Sequence, residues 1–286
     1  MNSGITLIPF VKACACGNDF LLIDAASIDD EPTATQLASI SQRICDRHNG
    51  VGADGVEWMY PHATADVEIR LINNDGSEAE ISGNGTRCVA AYLCAERKKE
   101  KLAIQTGAGL KICTLTGKTD SSYEFEAQMG EAVIAAELAV TLEADKPGGD
   151  KPEKDKVKKE EVRGIPVSMG NPHYVVFLPE FPLNWRELAA CIQRSSQFPH
   201  GVNVEIVIAN GKHDIEVRFF ERGVGETQSS GTGSCASAVA SIATGRAETP
   251  VRVHTPGGMQ TIRTEGKQVF LRGSAQLVCR GEFFLT

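Results

Sequence analysis

The sequence lacks any apolar run long enough to span a membrane. Its first twenty residues, MNSGITLIPFVKACACGNDF, also lack the basic segment and long apolar core of a secretory signal peptide. A cytoplasmic location is therefore expected. In that compartment the nine cysteines are expected to be reduced thiols rather than disulfides.

Positive charge is in deficit, because 37 acidic residues outweigh 29 basic ones and give a formal net charge of -8. This balance argues against nucleic acid and against an anionic membrane as partners. Zinc-ligand spacing is missing as well: Cys14 and Cys16 are only two positions apart, and the six histidines are scattered. We predict no metal.

The sequence does contain many short strand patterns, which are broken by Gly, Asn and Pro. Several of them alternate apolar and polar residues, as half-buried strands do. Strands are predicted at residues 20–23, 67–72, 102–106, 174–178, 204–208, 215–219 and 251–254. Helices are predicted at residues 35–47, 86–97, 185–194 and 233–244. Many strands with one or two helices in each half indicate an α+β fold.

The two halves of the chain repeat each other weakly. CGNDFLLID at 16–24 precedes NNDGSEAEISGNGTRC at 73–88, while MGNPHYVVF at 169–177 precedes ERGVGETQSSGTGSC at 221–235. In each half, a Gly-Asn-strand element is thus followed by an acidic, glycine-rich loop. Two related, pseudo-symmetric domains facing each other are the simplest interpretation. Residues 143–161 are charged and almost free of apolar side chains, which predicts a flexible, exposed loop insertion.

Each Ser-Gly-x-Gly loop leads into a predicted helix, and its serines are Ser82 and Ser230. Helix N-termini carry unpaired N–H groups and partial positive charge, so they bind carboxylates or phosphates. A lone loop of this kind is usually a serine cap with a glycine turn. Two matched loops favour a shared site, in which the serines face opposite sides of one carbon. That arrangement suits inversion without a cofactor.

Taken together, these motifs resemble those of the diaminopimelate epimerase family. The resemblance runs through GNDFLLID, CDRHNGVGADG, NNDGSEAEISGNGTRC, VSMGNPHYVVF, FPHGVNVEIV, RFFERGVGET and SGTGSC, in family order. It implies an α+β fold of two pseudo-symmetric domains, each a mostly antiparallel sheet wrapped around a central helix, with the active site in the interdomain cleft. It also implies that a C-terminal strand at 275–286 joins an N-terminal domain of residues 1–121, leaving 122–274 as the second domain.

The resemblance further implies interconversion of L,L- and meso-diaminopimelate, without pyridoxal phosphate or any other cofactor, on the route to lysine and peptidoglycan. The expected partner is a small amino-acid substrate, and a homodimer is left open. Catalytic roles would fall to Ser82, Ser230, His173 and Glu221. Substrate binding would fall to Asn18, Asn73, Gly83, Asn84, Asn171, Asn203, Glu221, Arg222, Gly231 and Thr232. Taken alone, His173 equally fits a core histidine with satisfied ring nitrogens.

The sequence departs from the family pattern at the two catalytic positions, where Ser82 and Ser230 replace the cysteines of the family. A thiol titrates near pH 8.5, whereas a serine hydroxyl needs a neighbouring base. Cys88 and Cys235 follow in the helices and are predicted to be small buried hydrophobes. Three explanations stay open: introduced substitutions, a natural branch with altered chemistry, or loss of catalysis. Two alternative functions follow, an isomerase for a more acidic carbon acid and a catalytically impaired amino-acid-binding homologue.

Overall fold

The computed structural model describes residues 6–28, 32–142 and 160–285. The chain divides into two compact units, Met1–Gln128 with Leu271–Thr286, and Met129–Phe270. The mixed content of strands and helices confirms the predicted α+β class. Within the described residues, the four α-helices are α1 (Ala34–Cys45), α2 (Gly83–Arg97), α3 (Trp185–Gln193) and α4 (Gly231–Ala243). None of the helices in this part of the chain is long and apolar enough to cross a membrane.

The first unit contains most of the strands up to residue 128, together with the C-terminal end of the last strand. These strands are β1 (Thr6–Ala15), β2 (Asn18–Asp24), β3 (Gly55–Tyr60), β4 (Val67–Asn73), β5 (Glu78–Ala79), β6 (Lys101–Thr106), β7 (Gly109–Lys118), β8 (Ser122–Glu131) and, from residue 271 onwards, β18 (Gln268–Leu285). Pairing is antiparallel between β18 and β1, β1 and β2, β3 and β4, β6 and β7, and β7 and β8. Pairing is parallel between β2 and β3 and between β4 and β6.

The second unit is built on the same scheme. Its strands are β9 (Val133–Ile134), β10 (Leu138–Leu142), β11 (Glu160–Ser168), β12 (Pro172–Phe177), β13 (Asn203–Ala209), β14 (Asp214–Glu221), β15 (Gly225–Thr227), β16 (Val251–Thr255) and β17 (Gly258–Glu265). The parallel pair β12–β13 corresponds to β2–β3, and the antiparallel pair β13–β14 corresponds to β3–β4. The internal repeat in the sequence therefore reappears as a repeat of strand directions.

One helix lies at the centre of each unit. Most of α2 is buried, and its Cys88, Val89, Ala90 and Ala91 are inaccessible to solvent in a core that β1, β2, β4, β6, β7 and β8 share. In the second unit, α4 is buried from Gly233 to Ser241 and contacts β11, β12, β13, β14, β16 and β17. A helix with small, mostly apolar residues on all sides is one that is buried on all sides.

The outer helices behave differently, because they are amphipathic. Helix α1 packs Leu37, Ile40 and Ile44 against Trp58, whose indole N–H donates to Ser41 Oγ at 3.0 Å. Helix α3 buries Trp185, Ala189 and Ile192 in the second unit. These helices cover one core each and expose their polar faces to solvent.

Several boundaries in the structure differ from the predicted ones. Helices α2 and α4 begin at Gly83 and Gly231 rather than at 86 and 233, because serine caps draw the glycines into the first turn. The first unit extends past 121 to Gln128, because β8 pairs with β7 as far as Ala127. It takes its C-terminal segment from Leu271 rather than 275. Of the predicted insertion, 143–159 lie outside the described residues, whereas Glu160 and Glu161 pair with β10 and belong to β11.

Burial of the thiols generates a labelling prediction. Burial raises the pKa of Cys113 to about 11 and that of Cys88 well above its usual value, whereas Cys279 is exposed. At pH 8, we expect iodoacetamide to modify Cys279 in the native protein and to leave Cys88 and Cys113 unmodified. Peptide mass spectrometry measures this, and the same reaction in urea is the control that labels all three. Native labelling of Cys88 as fast as Cys279 would contradict its place in the core.

Candidate active site

Each unit places one serine at the N-terminus of its central helix. Ser82 Oγ accepts a hydrogen bond from the Gly85 N–H at 3.0 Å, and Ser230 Oγ accepts one from the Gly233 N–H at 3.2 Å. Both serines have extended backbone angles, as N-cap residues do. Because each hydroxyl acts as an acceptor in this bond, its own hydrogen remains available for a second partner.

The first helical residues after each serine are the ones predicted to bind the substrate carboxylate. Gly83 and Asn84 open α2, and Gly231 and Thr232 open α4. The N–H groups at these positions point out of the helix end, where the helix dipole is positive. Glycine at the first position lets a ligand approach the backbone closely. Each helix end can therefore hold a carboxylate.

In the first unit, a network of amides joins two predicted site residues. Asn84 Nδ2 donates to Asn18 Oδ1 at 2.7 Å, and Asn18 Nδ2 donates to Asp54 Oδ2 at 3.0 Å. The buried Arg87 donates to Asn84 Oδ1. Asn73 has a different partner, since its Nδ2 donates to Ser77 Oγ at 3.0 Å. The structure thus links Asn18 and Asn84 directly to the start of α2, while Asn73 lies at the end of β4.

In the second unit, the corresponding network contains a histidine and a carboxyl group. His173 Nδ1 lies 2.6 Å from Glu205 Oε1, and His173 Nε2 lies 3.0 Å from Asn171 Oδ1. Asn171 Nδ2 donates to Thr232 Oγ1 at 3.4 Å. Because an amide oxygen only accepts, Nε2 carries a hydrogen, and a second proton is shared between Nδ1 and Glu205. Both ring nitrogens of His173 are therefore satisfied inside the unit.

The remaining predicted residues cluster at the ends of β13 and β14. Asn203 Nδ2 donates to the Pro172 carbonyl at 2.9 Å, and its Oδ1 accepts from the Arg222 N–H at 2.9 Å. Glu221 Oε1 accepts from Thr227 Oγ1 at 3.1 Å. Asn203 thus fixes the backbone that carries Glu221 and Arg222, and the exposed Arg222 can bind a carboxylate.

Sequence reasoning missed two buried carboxyl groups, Glu57 and Glu205. Each is the third residue of its strand, β3 or β13, and each side chain is 0% exposed. A Cβ added to Gly85 would overlap Glu57 Oε1, and one added to Gly233 would come within 2.9 Å of Glu205 Oε1. Both carboxyls therefore lie against the first turn of a central helix. The signal in the sequence was a single acidic residue in an otherwise apolar strand.

The two carboxyls differ in their partners. Burial raises the pKa of Glu57 to about 8, and neither of its oxygens has a hydrogen-bond partner among the described residues. Burial also raises the pKa of Glu205, but the charge and hydrogen bond of His173 oppose that rise. Glu57 is thus mainly a neutral acid near pH 7, whereas Glu205 shares a proton with His173.

The packing of Glu57 generates a prediction for two glycines of α2. Gly85→Ala should lower the free energy of unfolding by about 1–3 kcal/mol, because its methyl group would overlap the carboxyl of Glu57. Gly83→Ala is the matched control in the same turn, where the nearest atom would be Arg87 Nη1 at 3.9 Å. That variant should be neutral or stabilised by up to about 1 kcal/mol. Urea unfolding measures both, and equal stabilities would contradict the packing.

The raised pKa of Glu57 generates a prediction for pH dependence. Glutamate in the unfolded chain ionises near its usual pKa of 4.5, whereas Glu57 in the folded protein ionises near 8. Folding therefore takes up a proton between these values, so this group destabilises the fold as pH rises from about 4.5 to 8.

Glu57→Gln should remove that penalty. Its stability advantage over wild type should grow by up to about 1.4 kcal/mol per pH unit between pH 5 and 8 and then level off. Urea denaturation at several pH values measures the difference. An advantage that does not change with pH would mean that Glu57 is ionised in the fold.

The sequence matches a known protein family over most of its length. The sequence profile described as diaminopimelate epimerase matches residues 10–135 and 165–278. Diaminopimelate epimerase from Desulfitobacterium hafniense is 34% identical over 281 residues, which cover 95% of this chain and 96% of that protein.

Two solved structures share the fold. A phenazine biosynthesis protein of the PhzF family from Bacillus anthracis has a TM-score of 0.69 at 17% identity, over 98% of this chain and 99% of its own. A hydroxyproline epimerase from Agrobacterium vitis has a TM-score of 0.64 at 15% identity, over 97% of this chain and 91% of its own. At these identities the likeness concerns the fold alone. The profile and the sequence relative show that this chain is an isomerase and belongs to the diaminopimelate epimerase family.

Proposed function

We propose that the protein interconverts L,L- and meso-diaminopimelate by transferring protons on both sides of one α-carbon. The observation that carries this proposal is the repeated serine cap: each unit presents a hydroxyl and the first N–H groups of a buried helix together. Inversion at carbon needs one group that removes a proton and another that delivers a proton to the opposite face. Two half-sites of the same construction supply these two groups.

The substrate is assigned from the polar groups around the serines. Gly83, Asn84, Gly231 and Thr232 offer N–H groups to the carboxylate beside the reacting carbon, and stabilise the charge that develops when the α-proton leaves. Arg222 provides a fork for the distant carboxylate. The family membership supports diaminopimelate, an amino acid with charged groups at both ends, over a keto or unsaturated acid.

The remaining predicted residues support these groups. Glu221 pairs with a substrate ammonium group, and Asn18, Asn73, Asn171 and Asn203 bind the zwitterionic ends through donor and acceptor atoms. His173 adds a shared proton beside the second half-site. In this proposal, Ser82 and Ser230 transfer the protons, and His173 and Glu221 set the charge around them.

The proposal is tested by solvent-deuterium exchange at the α-carbon of L,L-diaminopimelate, followed by NMR. Ser82→Cys with Ser230→Cys should raise the exchange rate well above wild type, because a thiol shares a proton with a carbon acid near neutral pH more readily than a hydroxyl. Ser82→Ala with Ser230→Ala is the inert control. Calorimetry on all three proteins should show diaminopimelate binding.

The outcomes separate the alternatives. Absence of diaminopimelate binding by wild type and by the cysteine variant would refute the substrate assignment. Binding without exchange by either protein would indicate that the half-sites serve a different reaction or binding alone. Exchange by wild type at a rate near that of the cysteine variant would mean that the serines already have an effective base.

A further inference from the structure

Glu57 is a buried carboxylic acid whose oxygens have no hydrogen-bond partner among the described residues. On β3 it lies between Leu22 of β2 and Leu71 of β4 in the strand register, and α2 covers it with Gly85. The titratable group that faces Glu57 from α2 is the Cys88 thiol. Burial raises the pKa of Cys88, and the nearby Arg87, Cys14 and Cys16 also influence it. A carboxyl buried without a hydrogen bond is unfavourable relative to an apolar side chain of similar size. The core therefore contains a group that packing alone does not explain.

The position of Glu57 relates it to Ser82. The Cβ that Gly85 lacks would overlap Glu57 Oε1 and come within 3.3 Å of Ser82 Cβ. The carboxyl and the serine side chain therefore flank the same glycine. That glycine is also the residue whose N–H binds Ser82 Oγ. The hydroxyl only accepts in that bond, so its own hydrogen is free to turn towards the carboxyl, which has no hydrogen-bond partner in the described part of the chain.

The second unit repeats this arrangement. Glu205 lies against Gly233, whose N–H binds Ser230 Oγ. The strand register extends the correspondence: Phe20 pairs with Gly55, two residues before Glu57, and His173 pairs with Asn203, two residues before Glu205. Phe20 thus takes the place of His173 in the first unit. In both units a buried carboxyl lies against the glycine that donates to the serine, but only Glu205 has a histidine to share its proton.

We propose that Glu57 exchanges a proton with Ser82, and that Glu205 with His173 does the same for Ser230. A serine hydroxyl needs such a base, whereas a cysteine thiol can ionise without one. This inference rests on the proposed function and identifies the groups that exchange protons with the Ser82 and Ser230 hydroxyls. Because Glu57 reaches the substrate only through Ser82, it is a positioning residue. The catalytic residue in this half-site is Ser82.

The proton relay balances. In the deprotonating direction, the substrate C–H bond breaks and its proton bonds to Ser82 Oγ, while the original Oγ–H proton moves to the Glu57 carboxylate. In the protonating direction, Ser82 gives its proton to the carbanion and takes the proton of the Glu57 carboxyl. Burial raises the pKa of Glu57 to about 8, so near neutral pH this half-site starts as the acid. The half-site of Glu205 and His173 then starts as the base.

The relay is tested by combining Glu57→Gln with Ser82→Cys in the deuterium-exchange assay. In the serine protein, Glu57→Gln should lower kcat for exchange by about 10²–10⁴-fold with little change in KM, and should abolish the limb near pH 8 in the pH profile. In the Ser82→Cys background, the same change should cost less than about tenfold, because a thiol ionises without help. Glu96→Gln, a carboxyl of α2 paired with Arg280 at the surface, is the control that should change neither rate. Equal losses in both backgrounds would overturn the relay and leave Glu57 a structural residue.

A second measurement does not depend on turnover. Carboxyl ¹³C NMR should follow the titration of Glu57 in wild type and in Ser82→Ala. In the proposed pairing the Ser82 hydroxyl turns to Glu57 once the carboxyl ionises, so its loss should raise the midpoint further, and an unchanged midpoint would overturn the pairing. If only cysteine variants exchange diaminopimelate, the relay fails while the substrate assignment stands. If no protein binds diaminopimelate, the proposed function fails, and the NMR midpoint still decides whether Glu57 and Ser82 are coupled.

Discussion

The structure depends on one constraint, the need to satisfy the N-terminus of the central helix in each unit, where half-buried residues lead into the core. The first N–H groups of α2 and α4 have no acceptor within the helix. Ser82 and Ser230 satisfy one of these groups each, through Gly85 and Gly233. The groups that remain at the helix ends are suited to a carboxylate. The same requirement thus fixes the start of each central helix and the hydrogen bond of its serine.

The buried carboxyls show how stability and chemistry compete at these helix ends. Glycine at Gly85 leaves the space that the Glu57 carboxyl occupies, although alanine would favour the helix. Leucine at position 57 would be expected to pack with Leu22 and Leu71 without a desolvation cost. A fold selected for stability alone would use neither residue here. Their combination beside a serine cap is consistent with a functional site rather than a packing solution.

The two units of the internal repeat have similar backbones but different side chains around their buried carboxyls. Both units share the parallel strand pair, the serine cap, the glycine three residues later and the buried carboxyl. At the register position two residues before the carboxyl, His173 in the second unit corresponds to Phe20 in the first. Glu205 therefore has a hydrogen bond from a histidine, whereas Glu57 has none from any residue that the structure describes. In the proposed relay, that difference lets one half-site start as the acid while the other starts as the base.

The sequence by itself determined the α+β class, the two related halves, the four helices and the two serine-capped loops. These features depend on local periodicity and on turn residues, which short segments encode. It also singled out Asn18, Asn84, Asn171 and His173, although their shared networks became visible only in the fold. Tertiary structure alone decided the importance of Glu57 and Glu205. In the sequence each is one acidic residue in an apolar strand, and its meaning depends on a glycine that lies 28 residues further along the chain in both cases. The pKa of a carboxyl depends on what surrounds it in space, and only the packing of strand against helix brings that carboxyl to the first turn of a serine-capped helix.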